Sequence, residues 1–150
     1  MPWCDTDAMV ESNARMTIAE IFASSGEKTF RDYESDALRS LAAIDRPHVV
    51  ALGGGAILRP ENRQLLKSTG WVAWLQASPE TIAARIASDK STADRRPALS
   101  QLGVLGEIQS VLQKRWPLYE EVSDGVFDTD LIEIETLVRK IADAYRMSCS

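Results

Sequence analysis

The feature that most constrains the fold is a series of short apolar runs, each closed by a polar or glycine cluster. Trp3-Cys4 runs into Asp5-Thr6-Asp7, His48-Val49-Val50-Ala51-Leu52 into Gly53-Gly54-Gly55, and Gly125-Val126-Phe127 into Asp128. Trp71-Val72-Ala73-Trp74-Leu75 is a further run of this kind. Runs this short and this apolar read as strands covered on both faces. Their separation by helical patterns predicts an α/β fold of parallel β-α units. Ligands of such sheets gather at the carboxyl ends of the strands. Asp5, Asp7, the triple glycine and Asp128 all fall at those ends, so the polar clusters are expected on one rim.

The helical segments carry their own punctuation. Thr17-Ile18-Ala19-Glu20 has the spacing of a capping box and opens a short helix through Ile21 and Phe22, stopped near Gly26. A second helix is expected from about Glu27 to Ala43, with Phe30, Tyr33, Ala37, Leu38 and Leu41 on one apolar face. Pro60 fits the first turn of a helix through Leu66, with Gly70 as its stop. Ser78-Pro79 reads as N-cap and first helical position of a helix through Ile86. Ser88 to Pro97 is polar and without period, a lid-like loop over about 88–97. Leu105 to Tyr119 is expected to be helical with a bend at Pro117. Leu131 to Tyr145 closes the chain, with Ile134, Leu137, Val138, Ile141 and Tyr145 inward. No repeat or linker interrupts the 150 residues, so one domain over 1–150 is expected.

Charge excludes some functions. Seventeen basic against 22 acidic residues give a net charge of -5, and the basic residues are scattered singly or in pairs. A nucleic-acid groove is not expected. His48 is the single histidine, which leaves little for a zinc site or a Ser-His-Asp triad. Cys4 and Cys149 have no metal spacing and read as free thiols. Neither a signal peptide nor a membrane-length apolar run is visible, so the cytoplasm is the expected location and no membrane partner is expected.

The remaining polar residues suit an anionic, hydroxyl-bearing ligand. Arg31, one turn into a helix, and Arg115, late in another beside Trp116 and Pro117, offer planar forks that match a carboxylate or phosphate. Taken alone, each reads more readily as a solvated surface arginine. In an extended segment Asp5 and Asp7 would lie on the same side. One could face a metal while the other orients a hydroxyl and takes its proton, or both could be capping acids. Gly53-Gly54-Gly55 removes every Cβ and could admit a ligand to main-chain N–H groups, or form a plain tight turn. Glu34, three residues after Arg31, could fix that arginine or make a modest helical ion pair. Arg95-Arg96-Pro97 ends the lid-like loop, where an arginine could meet charge on a transferred phosphoryl group.

In collinear order these segments resemble shikimate kinase. The resemblance rests on Asp5-Thr6-Asp7, Met16 to Phe22, Gly26-Glu27, Phe30-Arg31 with Glu34, Gly53-Gly54-Gly55-Ala56 and Arg59-Pro60-Glu61-Asn62. It continues through Arg96-Pro97, Arg115 with Pro117-Leu118-Tyr119, and Asp128-Thr129-Asp130. It implies a P-loop kinase-like three-layer fold with a parallel sheet. It also implies transfer of the γ-phosphoryl group of ATP to the 3-hydroxyl of shikimate, with Mg2+, on the way to chorismate and the aromatic amino acids. By matching position, Asp7 would contact shikimate and activate the acceptor, and Arg31 and Arg115 would hold its carboxylate. Gly54 and Gly55 would supply main-chain contacts, Glu34 would support the site, and Phe22 and Phe30 would wall it. Arg96 would reach the ATP phosphates, and Asp5 would sit near the magnesium shell. A monomer is implied.

The chain departs from the family pattern at its start. Members carry an apolar strand, a G-x-x-x-x-G-K-[ST] phosphate loop and a helix about thirty residues before the Asp-x-Asp. No such motif occurs in this sequence. The expected fold therefore lacks the usual first strand, phosphate loop and first helix. Positioning and charge neutralisation supply most of phosphoryl-transfer catalysis, so little turnover is expected of these residues alone. The stretch then reads as part of a longer gene or as a decayed copy. Two alternatives stand beside the kinase: a related sugar-acid kinase such as gluconate kinase, and a non-catalytic or partner-completed shikimate-binding protein.

Overall fold

The computed structural model describes residues 1–88 and 103–148. The lid-like loop with Arg95, Arg96 and Pro97, and Cys149, lie outside the described residues. The chain divides into two compact units, the first being Met1–Thr69 and the second beginning at Gly70.

In the first unit, β1 (Trp3–Asp5) leads directly into α1 (Thr6–Ala14), followed by α2 (Ile18–Ala42), β2 (Val49–Ala51) and α3 (Pro60–Thr69). β1 and β2 are parallel, with Trp3 opposite Val49 and Asp5 opposite Ala51. The extended Asp5-Thr6-Asp7 of the sequence reading is corrected here. The chain turns helical at Thr6, because the Asp5 Oδ1 accepts from the Asp7 N–H at 2.8 Å and the Ala8 N–H at 3.2 Å, an N-cap. The capping box at Thr17 forms as expected. Its Oγ1 accepts from the Glu20 N–H at 3.2 Å, and the Glu20 carboxylate accepts from the Thr17 N–H at 2.7 Å. The Thr17 N–H, and then the Thr17 hydroxyl donating at 2.9 Å, hold the Glu20 carboxyl below the usual range. The two helices expected on either side of Gly26 are the two parts of α2. Gly26 breaks the helix at φ 79 and ψ 175, a region open essentially to glycine.

The core of this unit is Val10 from α1 packed on Ile18, Ile21, Phe30 and Ala37 of α2, with Met9, Phe22 and Tyr33 at its margin. Burying each of the larger side chains contributes about 1.5–3 kcal/mol before entropy is subtracted. That packing fixes which face of α2 turns toward α1 and β1, and so where Arg31 and Glu34 emerge.

The second unit holds β3 (Ala73–Gln76), α4 (Pro79–Ser88), α5 (Gly103–Val122), β4 (Gly125–Asp128) and α6 (Ile134–Ser148). β3 and β4 are parallel, in register from Ala73–Gly125 to Gln76–Asp128. The expected cap at Ser78 is present, its Oγ accepting from the Thr81 N–H at 3.2 Å. α5 continues through Pro117 to Val122, beyond the expected Tyr119. Aromatic rings tie the unit together: Trp74 lies 4.7 Å from Trp116 and 5.2 Å from Tyr119, and Trp71 lies 5.8 Å from Tyr145.

Two expectations of burial are corrected. Val49, Leu75 and Val126 are exposed by 54%, 54% and 52%, because side chains alternate along a strand and each strand is better covered on the side of the next residue along or back, Val50, Trp74 and Phe127 respectively, which are half-buried. The face of α6 expected inward is only half covered. Leu137 and Ile141 are partly buried, whereas Ile134 and Val138 are exposed.

Candidate functional site

The first unit brings three charged side chains to the turn that follows β2. This turn is closed by two backbone bonds, Ala56 N–H to Gly53 C=O and Leu58 N–H to Gly55 C=O, each 3.0 Å. None of its glycines has a positive φ. Their need is for space. A Cβ on Gly53 would lie 2.9 Å from the Asp7 Oδ1 and 3.5 Å from the Glu34 Oε1. A Cβ on Gly55 would overlap the Arg31 guanidinium, 2.6 Å from its Cζ and 2.7 Å from its Nη2. The room that the missing side chains leave is taken by Asp7 and Arg31 themselves.

Arg31 is held from several directions. Its Nη1 donates to the Glu34 Oε2 at 2.9 Å and its Nη2 to the Glu27 Oε1 at 3.3 Å. Its Cζ stands 5.0 Å above the centroid of the Phe30 ring, within cation–π range. Phe30 is buried and packs on Phe22 at 4.9 Å. The two anchoring acids differ in kind. The Glu34 side chain is 2% exposed and that of Glu27 is 64% exposed. A carboxylate as buried as Glu34 persists only with a charged partner, and removing one partner of such a pair costs about 3–5 kcal/mol. The Arg31 Nε is buried and finds no hydrogen-bond partner among the described residues, a donor left over after Glu34 and Glu27 are served.

Thr6, given no role of its own from the sequence, joins the start of α1 to the end of β2 and the glycine turn. It is fully buried. Its Oγ1 donates to the Ala51 C=O at 3.2 Å and accepts from the Gly53 N–H at 3.2 Å. Arg59, Asn62 and Arg63 were likewise without a role. The buried Asn62 donates from Nδ2 to the Ala56 C=O at 2.9 Å, and Arg63 Nη1 donates to the Ile57 C=O at 2.9 Å. A hydroxyl or amide whose duty is to a distant carbonyl leaves no periodic mark in a sequence, which is why these residues escape a pattern reading.

Asp7, Arg31, Glu34, Gly54, Gly55, Phe22 and Phe30 thus belong to one assembly around the turn. Asp5 contributes a helix cap, and among the described residues no three His, Cys, Asp or Glu side chains cluster as a metal site. Arg115 is half-buried on α5 in the second unit, and Arg96 is outside the described residues. In the second unit the carboxyl ends of β3 and β4 border a cavity of about 370 Å³ that Ser78, Trp116, Asp128 and Asp130 help to line. Between Asp128 and Asp130, Thr129 Oγ1 donates to the Gln76 C=O at 2.8 Å and accepts from Arg85 Nη1 at 2.9 Å. The Asp130 Oδ1 accepts from the Ser78 N–H at 2.9 Å, and that bond first holds its carboxyl below the usual range. No helix among the described residues is long and apolar enough to cross a membrane.

Comparison with known proteins gives a consistent result. The family profile described as shikimate kinase matches residues 1–146. The chain is 43% identical over 145 residues to the shikimate kinase of Rhodopirellula baltica, covering 96% of this chain and 76% of that protein. It is 44% identical over 128 residues to that of Nitratidesulfovibrio vulgaris, covering 85% and 72%. Among solved structures it is similar to the shikimate kinase from Acinetobacter baumannii in complex with shikimate. There the TM-score is 0.86 and the identity 28%, covering 98% of this chain and 79% of that one. The shikimate kinase from Bacteroides thetaiotaomicron gives a TM-score of 0.83 at 25% identity, covering 97% and 84%. The expected P-loop kinase-like α/β architecture is therefore borne out.

Proposed function

This chain belongs to the shikimate kinase family, and on that footing we propose that it binds shikimate through the assembly around Gly53-Gly54-Gly55 and phosphorylates it from ATP. One observation carries the assignment of the acceptor site. The Arg31 guanidinium is pinned by the buried Glu34 against Gly55, with Asp7 against Gly53 of the same turn. A fixed, planar cation beside a carboxylate suits a ligand that carries both an anionic group and hydroxyls.

In this reading Arg31 takes the shikimate carboxylate through its guanidinium. Glu34 keeps the guanidinium in place. Phe22 and Phe30 wall the ring, and Gly54 and Gly55 present main-chain groups. Asp7 orients the 3-hydroxyl. That oxygen attacks the γ-phosphorus as the bond to the β–γ bridging oxygen breaks; ADP leaves with the electron pair, and Asp7 accepts the hydroxyl proton. Arg115 is assigned to the same carboxylate and Arg96 to the ATP phosphates by matching position in the family alone. Magnesium would neutralise phosphate charge. Such an ion is commonly held by substrate phosphates and water as much as by protein, and Asp5 is assigned near it by matching position in the family alone. A cytoplasmic, monomeric enzyme is the form we propose.

The test is titration calorimetry with shikimate and with gluconate, alongside a coupled assay for ADP released only when shikimate is present. Shikimate binding that Arg31→Ala abolishes, with no gluconate binding, supports the assignment. Shikimate binding without ADP release would keep the acceptor-site assignment and match the little turnover expected of these residues alone. Gluconate binding in preference to shikimate would overturn the substrate.

A further inference from the structure

Arg59 stands outside the cluster that meets the substrate, yet it connects the two elements that build it. It immediately precedes α3, and its C=O accepts from the Asn62 and Arg63 N–H groups at 3.1 and 3.2 Å, starting that helix. Its side chain crosses to α2. There Nη2 donates to the Asp32 Oδ1 at 2.6 Å and to the Lys28 C=O at 3.4 Å, while Nη1 donates to the Ser35 Oγ at 3.2 Å. Ser35 is fully buried. Asp32 also receives Lys28 Nζ at 3.0 Å. Arg59 and then Lys28 hold the Asp32 carboxyl below its usual range.

The neighbours of those contacts matter. Asp32 follows Arg31 and Ser35 follows Glu34. At the other end, Asn62 and Arg63 hold the carbonyls of Ala56, Ile57 and Leu58, the chain leaving the glycine turn. The turn is thus fastened to the start of α3, and the start of α3 is fastened by Arg59 to the stretch of α2 that presents Arg31. The clearance between the Arg31 guanidinium and Gly55 has no slack. A small slide of α2 against the turn must therefore move the guanidinium or break its bond to Glu34.

We propose that Arg59 is a positioning residue for acceptor binding: through Asp32 and Ser35 it sets where Arg31 lies against Gly55. Lysine cannot replace it, because a single ammonium on a flexible stem does not span the Asp32 carboxylate and the Ser35 hydroxyl in one plane. The proposal rests on the shikimate-binding reading above, so its test carries a readout independent of that ligand.

The experiment uses the whole chain as wild type, Arg59→Lys and Arg59→Ala, with Arg85→Ala as a comparison variant that loses packing bonds in the other unit. Shikimate affinity is measured by calorimetry. The Arg31 Nε–H resonance is followed by NMR in the ligand-free protein. Both Arg59 variants are expected to weaken shikimate binding roughly tenfold, the scale at which displaced contacts lose function, and to shift or broaden the Arg31 Nε–H signal. Arg85→Ala should do neither, even at an equal loss of melting temperature. Should Arg59→Ala fail to fold, Arg59→Lys carries the test. If wild type binds no shikimate, the functional reading fails, while the Arg31 signal still decides the clamp. An Arg31 resonance unmoved in Arg59→Lys, or affinity within twofold of wild type, overturns the proposal.

Discussion

Gly55→Ala is the sharpest probe of the acceptor site, because the substitution adds one methyl group where the structure has no room for it. The added Cβ would lie 2.6 Å from the Arg31 Cζ and 2.7 Å from its Nη2, and closer still to Nη1. The turn cannot easily retreat, since Ala56 and Ile57 behind it are buried and Asn62 grips the Ala56 carbonyl. The guanidinium must swing instead. Doing so stretches the 2.9 Å bond to Glu34, a charge-assisted hydrogen bond to a buried carboxylate worth about 1.5–3 kcal/mol. The expected outcome is a loss of unfolding free energy of that size in urea titrations. Shikimate affinity should also fall about tenfold or more, because the displaced fork no longer meets the carboxylate in plane. Gly54→Ala serves as the neighbouring comparison for stability alone, Gly54 being exposed where Gly55 is buried. If Gly55→Ala kept stability within about 0.5 kcal/mol and bound shikimate as wild type does, the packing of Arg31 against the turn would be refuted.

Three further outcomes follow from the same geometry. Thr6→Val keeps the shape of a buried side chain but orphans the Gly53 N–H and its bond to the Ala51 side; it should cost about 1–3 kcal/mol, read by thermal unfolding. Glu27→Gln removes a mostly exposed negative charge from Arg31 and should tighten shikimate binding about twofold, the scale of a surface helical pair, with the gain vanishing in high salt; weaker binding would show that Glu27 orients the arginine instead. Asp130 has its carboxyl lowered in the folded protein, chiefly by the Ser78 N–H. Its stabilisation is therefore present above the ordinary aspartate value of about 3.9 and lost as pH falls below it toward the folded value. Acid titration of stability should lose part of its slope in that window in Asp130→Asn.

The turn after β2 shows both how much of this chain is legible in its sequence and where legibility stops. Strands ending in acids or glycines, the capping box at Thr17, the break at Gly26 and the Ser78-Pro79 helix start were all readable, because each follows from rules local to four or five residues. The α1 helix was not, since Asp5 stands both at a strand end and at an N-cap, and only the amide hydrogen bonds from Asp7 and Ala8 decide between them. The exposed face of α6 was not legible either: periodicity tells which residues share a face, never whether anything covers it. The glycines are the instructive case. Three in succession after a strand suggested main chain bared for a ligand. The structure gives the space above Gly53 and Gly55 to Asp7 and Arg31, side chains drawn from residues 46 and 24 positions earlier in the sequence. What the motif specifies is thus first the seating of a carboxylate and a guanidinium at fixed separation, which adds to whatever main chain it offers a ligand. A substitution at either glycine then acts on binding by moving a charged group that the sequence places on another element, so its effect should track the Arg31–Glu34 pair and not the turn's own flexibility. That shared route is why Gly55→Ala and Arg59→Lys, far apart in kind, should produce the same loss.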